Sequence, residues 1–589
     1  MRQLLYRIAL ATGLALAGTA QAASDFTVLN GAWVIPPEVN GQPGRGMSID
    51  VQNGVLVLQV YNYDPQGEPT FHMAVGPLAD NHFAGPLIRY RDGRSYGSAP
   101  RIASMDGSAG NVDVRFTSGH AGTIQFPGEA PIPIARYTFD DIARSQLSQV
   151  GADQMWAAAQ LNDQGEPVSL WWLQFQTTRA TDGSLSTKIK HVTTTGLQFE
   201  ANSICAPAAG DSYVQCSVPL GNSGETVTFR LRPVLDSMSG TYTHEQFSAN
   251  QPARLVGGRM YTQRNGEVAL DVPNTGIDFG GMSRIQPLPG NWVVSSELNG
   301  QPGRGMTFDA QQGTLVTLVY NYEANGAPTF HLGAGPYANN RSGASLMRYA
   351  GGRYYGSSAR IAQATGSAGE MAVSFTSPTQ GFVRFPGESE VAIQRFEYSS
   401  HPTPLLARLQ GHWAFLDIQE LKFSSAHLTT INNNRVEGGD MRCFYETTAY
   451  GTVRCTSFDN VSSATPRLRT DYRFTLNESG RAIGVSMVID AQGRATNATT
   501  PLAVLRTRDT NNVMAGLGPI VGAEPAALSK QDLDYDTEDD NHIKRPTKSV
   551  VTLPNTNERR PVVLIGQGWE GSGNVAGAQS VLATQLAAA

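Results

Sequence analysis

Short apolar runs separated by turn residues recur along the chain. Gly54 precedes Val55-Leu-Val-Leu-Gln-Val-Tyr61, a turn of Asp64-Pro-Gln-Gly67 follows, and Pro69-Thr-Phe-His-Met-Ala-Val75 runs back. Two such runs around a four-residue Asp/Pro/Gly loop predict a β-hairpin, because Gly67 can supply a positive φ. Residues 111–116 and 123–126 alternate apolar and polar positions with the period of a half-buried strand. The same alternation puts Tyr61 and Tyr63 on one face of their strand and Asn62 on the other. No segment of this unit sustains an apolar stripe at helical spacing over a dozen residues. The pattern predicts an all-β, antiparallel fold with about eight strands per unit.

That pattern is duplicated. Residues 31–139 align without a gap onto 290–398, at a constant offset of 259, and about half the positions are identical. The first copy reads Asn40-Gly-Gln-Pro-Gly-Arg-Gly-Met47 where the second reads Asn299-Gly-Gln-Pro-Gly-Arg-Gly-Met306. Two further segments, about 140–287 and 400–510, match each other weakly but carry a cysteine pair and strand-like stretches (226–232 and 471–476) at similar places. The expected order is A–B–A′–B′, tandem antiparallel β-barrel or sandwich units at 23–139, 140–287, 288–399 and 400–510. A linker and mobile C-terminal tail follow over 511–589, ending in a Gly/Ala/Gln/Ser-rich stretch.

Gly plus Pro number 95 against 94 charged residues among 589, a balance that suits many short strands and excludes coiled-coil, collagen-like or disordered chains. Residues 1–22 carry Arg2 and Arg7, an apolar stretch over 8–17 and Ala20-Gln-Ala22, the layout of a secretory signal peptide. They hold two arginines and no acid, so their removal takes the formal charge from −6 to −8, which argues against nucleic-acid binding. Position 23 is alanine, not the cysteine of a bacterial lipid anchor, and no later stretch approaches 18 apolar residues, so no membrane span is expected. The expected location is exported, periplasmic or extracellular. There, Cys205 with Cys216 and Cys443 with Cys455 read as two local disulfides; a four-thiolate zinc site would want C-x-x-C spacing, absent here.

Three units open with the same motif, Leu29-x-Gly31-x-Trp33, Leu288-x-Gly290-x-Trp292 and Leu409-x-Gly411-x-Trp413. A Gly-x-Trp on the first strand resembles the calycin superfamily of lipocalin- and avidin-like barrels. The resemblance implies a Trp near the barrel floor with an Arg of the last strand lying across it, a place that Arg136, Arg395 and Arg506 fit. Unit B departs, since Trp156 lacks the glycine spacing, so the motif does not assign it to a barrel. The repeated Gly-x-Trp and Tyr-x-Tyr-x-x-x-Gly-x-Pro layout also resembles exported repeat proteins of Gram-negative bacteria, which implies a compartment and no activity.

Catalytic signals are thin. No G-x-S-x-G occurs, and Gly210-Asp-Ser212 with Asp539 and His542 resembles the two blocks of GDS-type esterases only superficially, because Ser212 lies between the cysteines of an all-β unit. No H-E-x-x-H occurs. Asp532, Asp534, Asp536 and Asp539 depart from a calcium loop at Thr537 and Ile543 and read as a solvated acidic linker. Gly41-x-x-Gly44-x-Gly46 is interrupted by Pro43 and followed by no helix, so it reads as a turn. Leu553-Pro-Asn-Thr-Asn557 is similar to a sortase signal without the membrane segment that would follow. No cofactor and no catalytic or metal residue is assigned.

The candidate ligand-binding set is polar and aromatic and occurs twice: Tyr61, Tyr63, His72, Arg89, Tyr96 and Arg101 in A, and Tyr320, Tyr322, His331, Arg348, Tyr355 and Arg360 in A′. Inside a barrel mouth such residues would grip a sugar or small aromatic; on strand edges they would be structural. The leading expectation is a non-catalytic exported protein, a binding or surface-interaction module whose copies multiply weak contacts, with a small ligand, a glycan or a surface partner as its target. The alternatives are a small-molecule carrier with ligand inside the A units and, more distantly, an esterase-type hydrolase. A carrier needs a cavity of about 300 Å³ or more. An adhesive module would show filled barrels and an exposed aromatic patch, and an enzyme would need Ser212 beside a histidine.

Overall fold

A computed structural model of the chain describes residues 26–138 except 40–43, and 154–270 except 180–184, 208–212, 221–224, 236, 245–252 and 265–266. It also describes 287–398 except 300–301 and 312–313, and 404–517 except 419, 448–451, 459–467, 477–480, 491, 493, 495–499, 510–512 and 516, together with 550–552 and 559–561. The expected signal peptide, Ser212, the acidic run at 532–540, His542 and most of the tail lie outside the described residues.

The fold is all-β, four antiparallel barrel units of eight or nine strands in tandem. Unit A is an eight-stranded meander from Gly31–Val34 to Ile132–Arg136, closed by pairing of its last strand with its first. Unit A′ repeats it from Gly290–Val294 to Val391–Arg395. The hairpin expected from the sequence is there: Val55–Tyr63 pairs with Pro69–Pro77, Tyr61 opposite Phe71. Its turn is held by the Asp64 carboxylate, which accepts the N–H groups of Gln66 and Glu68, and by Gly67 at φ +89°. Barrel A is filled from alternate positions of its strands, with Trp33, Ile49, Leu58, Phe83, Val114 and Phe116 in one apolar cluster.

Unit B is a barrel as well, although it lacks the motif glycine. Its eighth strand, Ala253–Arg264, pairs with both the seventh, Ser237–His244, and the first, Gln154–Leu161, and a ninth, Glu267–Leu270, adds to the edge. Trp156 sits fully buried on the first strand, with Arg259 of the eighth directly opposite. The same register pairs Trp33 with Arg136, Trp292 with Arg395 and Trp413 with Arg506. In unit B′ the nine-stranded sheet runs from Lys422–Leu428 through Gly411–Asp417, which pairs with the last strand Thr500–Arg508, around to Thr430–Asn432. The two disulfides cross neighbouring strands inside B and B′, Cys205 opposite Cys216 and Cys443 opposite Cys455.

The Leu-x-Gly-x-Trp motif has a local explanation. Gly31, Gly290 and Gly411 take φ of +121°, +111° and +123°, a region open to glycine. That turn lets each indole N–H reach back to the leucine carbonyl, Trp33 to Leu29 at 2.9 Å, Trp292 to Leu288 at 3.0 Å and Trp413 to Leu409 at 2.8 Å. A buried indole N–H is thereby satisfied without a polar side chain in the core.

The units dock like with like. Outward Ala157, Ala159, Leu170 and Trp172 of B share an apolar cluster with Ala414, Leu416 and Leu505 of B′. Outward Tyr61, Tyr63 and Phe71 of A meet Tyr320, Tyr322 and Phe330 of A′ in another. A and A′ thus form a pseudo-twofold pair although B lies between them in the sequence.

Candidate functional site

The twelve ligand-binding candidates do not form one pocket per unit. Tyr61 and Tyr63 share one face, as alternation required. That face, like the one carrying Tyr320 and Tyr322, points out of its barrel rather than into a mouth, and the four are buried because the two barrels close on them. Tyr61 meets Phe330 edge-on at 5.5 Å, and Tyr322 meets Phe71 edge-on at 5.8 Å. The approach is tight: a side chain at Gly93 would lie 2.0 Å from the Tyr322 ring, and one at Gly352 2.1 Å from that of Tyr63. The exposed aromatic patch expected of an adhesive module is not found among the described residues, because the aromatic face is spent on this contact. The exposed large apolar groups include aliphatic Val75, Ile102, Ile204 and Ile361, with Phe382 their aromatic member.

His72 lies on the other face of its strand, inside barrel A, and what meets it there is Tyr355 of A′. The Tyr355 ring stacks on Phe126 (centroids 5.2 Å, 28°), and its hydroxyl lies 3.3 Å from His72 Nδ1. The mirror contact puts Tyr96 of A inside barrel A′, 5.6 Å from Phe385 and 3.4 Å from His331 Nδ1. Each tyrosine rides on a loop, 92–103 or 351–362, that crosses to the other barrel's mouth. Burial pushes both phenols well above their ordinary pKa and keeps them protonated. Burial, with Arg89 or Arg348 adding to it, lowers His72 to about 4 and His331 to about 3, so both imidazoles are neutral near pH 7.

An ionic rim fastens each mouth. In barrel A, Arg45 lies over the Phe126 ring and pairs with Glu38 at 2.6 Å and Glu129 at 2.7 Å, while Arg353 of A′ pairs with the same two carboxylates at 3.0 and 3.1 Å. In barrel A′, Arg304 holds Glu297 and Glu388 at 2.7 and 2.6 Å, and Arg94 of A joins them at 3.0 and 3.3 Å. The loop backbones add Gly356 N–H to Glu129 and Gly97 N–H to Glu388, each at 2.9 Å.

The four arginine candidates Arg89, Arg101, Arg348 and Arg360 are exposed and contact backbone carbonyls or surface carboxylates instead. Sequence reasoning missed the rim glutamates and two buried aspartates, Asp50 and Asp309, which sit among apolar neighbours at equivalent places of the duplicated strand. A charge repeated inside an apolar run was the available signal.

Barrel B has its own polar-aromatic end. Trp171 stacks on His191 (4.1 Å, 10°) beside Phe229 and Tyr242, and burial lowers His191 to about 4. Trp171 Nε1 and His191 Nε2 are buried without a hydrogen-bond partner. Among the described residues no group of three or more His, Cys, Asp or Glu converges as a metal site, and no helix is long and apolar enough to cross a membrane. Comparison with protein-family models and with curated proteins returns no match.

Proposed function

We propose that the chain is an exported, non-catalytic protein that works as a multi-unit binding or surface-interaction module. The observation that carries this reading is the state of the two A-type barrels. Their interiors are packed with apolar side chains, and each mouth holds a tyrosine of the other barrel. A barrel so filled presents its outer face and loops, and four fused units present several such faces at once. Two disulfides are consistent with an oxidising compartment outside the cytosol. The Trp–Arg register repeated in all four units supports the calycin-type resemblance as one of architecture.

The test uses the whole chain, since an isolated A unit would expose the face built on Tyr61, Tyr63 and Phe71. Immobilised glycans, peptides and lipid vesicles are presented to it alongside the same glycans and peptides in monomeric form. The expected result is retention on a multivalent surface with little thermal shift from monomers. Saturable ester or glycoside hydrolysis by the purified chain would overturn the reading.

A further inference from the structure

Tyr355 and Tyr96 are held in the way a barrel holds a ligand. Each ring lies on a phenylalanine inside the other unit, each hydroxyl meets a buried neutral histidine, and a charged rim closes behind it. The arrangement occurs twice, on residues 259 positions apart, as the pseudo-twofold pairing of duplicated units requires.

The polar groups around the ring exceed what a single phenol can satisfy. Asn62, fully buried, projects to the interior from the strand facing His72 and stands close enough to the Tyr355 hydroxyl to ease its ionisation. Yet neither its amide oxygen nor its amide nitrogen has a well-directed hydrogen bond. Asn321, equally buried, leaves the same two atoms unpartnered beside Tyr96, and His331 Nε2 is unpartnered as well. Buried polar atoms are ordinarily paired, so a mouth with an amide to spare is built for more hydrogen-bonding groups than tyrosine brings.

We propose that the mouth of each A-type barrel is a binding site for a small uncharged aromatic ring bearing adjacent hydroxyls, of the catechol class, occupied in this chain by the tyrosine of the other barrel. The ring would take the place of Tyr355 on Phe126, one hydroxyl would meet His72, and the second would meet Asn62. The loop that carries Tyr355, latched by Arg353 to Glu38 and Glu129, acts as a tethered competitor. The surface-module reading draws on the same filled mouths but concerns the outer faces; surface retention tests that reading, and ligand titration tests this one.

The experiment is calorimetric titration of the full chain and its Tyr355→Ala and Tyr96→Ala variants with catechol, phenol and toluene. Each variant should gain one site, with catechol binding roughly tenfold more tightly than toluene and phenol between them. The unaltered chain should bind catechol roughly a hundredfold more weakly than either variant, because the ligand must first displace the tethered tyrosine. Adding Asn62→Leu to Tyr355→Ala should abolish the preference for catechol over phenol. Equal affinity for toluene and catechol, equal affinity of variant and parent, or no binding to a variant with a native near-ultraviolet spectrum would each overturn the proposal. Tyr355→Leu carries the same comparison should the alanine variant not fold.

Discussion

Arg395, on the last strand of A′, forms a two-pronged ion pair with Asp50 of A, Nη1 to Oδ2 at 2.7 Å and Nη2 to Oδ1 at 2.8 Å, both side chains wholly buried. Its mirror joins Arg136 of A to Asp309 of A′ at 2.7 Å. Each carboxylate also accepts a backbone N–H from the other barrel, Asn291 for Asp50 and Ala32 for Asp309. The arginine that faces the motif tryptophan across the barrel closure therefore reaches into the neighbouring barrel. In B′, Arg506 instead stays with its own unit, 5.9 Å from the Trp413 ring and 2.8 Å from the Arg408 carbonyl.

Asp50→Ala leaves the Arg395 guanidinium buried without its carboxylate and should cost about 3–5 kcal/mol. The double replacement Asp50→Leu with Arg395→Met removes both charges and should cost well under the sum of the two single changes. Calorimetry of the four proteins in a double-mutant cycle checks this. A double variant that costs the full sum of the two single changes would show that packing, not charge, holds the contact.

Gly31→Ala tests why the motif carries glycine. An added methyl would lie 2.4 Å from Arg136 Nη2 and 2.6 Å from Asp309 Oδ2, at a φ of +121°. The expected loss exceeds about 2 kcal/mol, since the strain falls on a buried ion pair as well as the backbone. Gly97→Ala, at φ +70° with open space around it, should cost only about 1–2 kcal/mol. Thermal unfolding of the two variants side by side decides it.

The architecture was legible because strand signals are local: alternation around Tyr61, the turn at Asp64 and Gly67, and the cysteine spacing each depend on a few adjacent residues. The gapless repeat by itself makes A and A′ equivalent. The docking was not legible, because Tyr355 and His72 are 283 positions apart and neither carries a mark of its partner. Alternation correctly put Tyr61 and Tyr63 on one face, but it could not say that this face would meet another barrel. Unit B's barrel was obscured because its Trp156 lacks the motif glycine, while the strand pairing that closes the sheet is long-range.

Acid should weaken the A–A′ pair. His72 and His331 are neutral when folded, with pKa values lowered mainly by burial to about 4 and about 3, against about 6.5 in the unfolded chain. Below pH 6.5 the unfolded state binds protons that the folded state refuses, so stability falls as pH drops toward 4 and is level above about 7. The loss is on the order of 3 kcal/mol at most for each histidine by pH 4. His72→Gln should flatten the slope of melting temperature against pH between 6.5 and 4; an unchanged slope would show that other groups set it.

Each disulfide closes a short loop, with sequence separations of 11 and 12, and stabilises by about 2–3 kcal/mol on the chain-entropy argument. All four cysteines are buried, so reductant should act only as the barrels open. Replacing Cys205 and Cys216 together by alanine should lower the unfolding transition of B and leave the A–A′ contact intact, as hydrogen exchange resolved by unit would show.

The last contact of the described core joins three units through one leucine. Leu517, beyond the final strand of B′, is fully buried against Leu29 of A and Val234 of B. Its carbonyl accepts the Gly119 N–H of A at 3.1 Å, and its own N–H donates to Ser239 Oγ of B. Three residues earlier the Met514 carbonyl accepts the Thr27 hydroxyl of A, and Ala515 N–H returns to Thr507 of B′. The first residues of the expected tail are thus part of the packed body. Leu517→Ala should cost about 2–5 kcal/mol, as for other buried leucines, and should speed proteolysis where A, B and B′ meet. Leu298→Ala, at a leucine half exposed on A′, should change stability by no more than about 0.5 kcal/mol. If the two variants unfold alike and cleave alike, Leu517 is not the joint between the units.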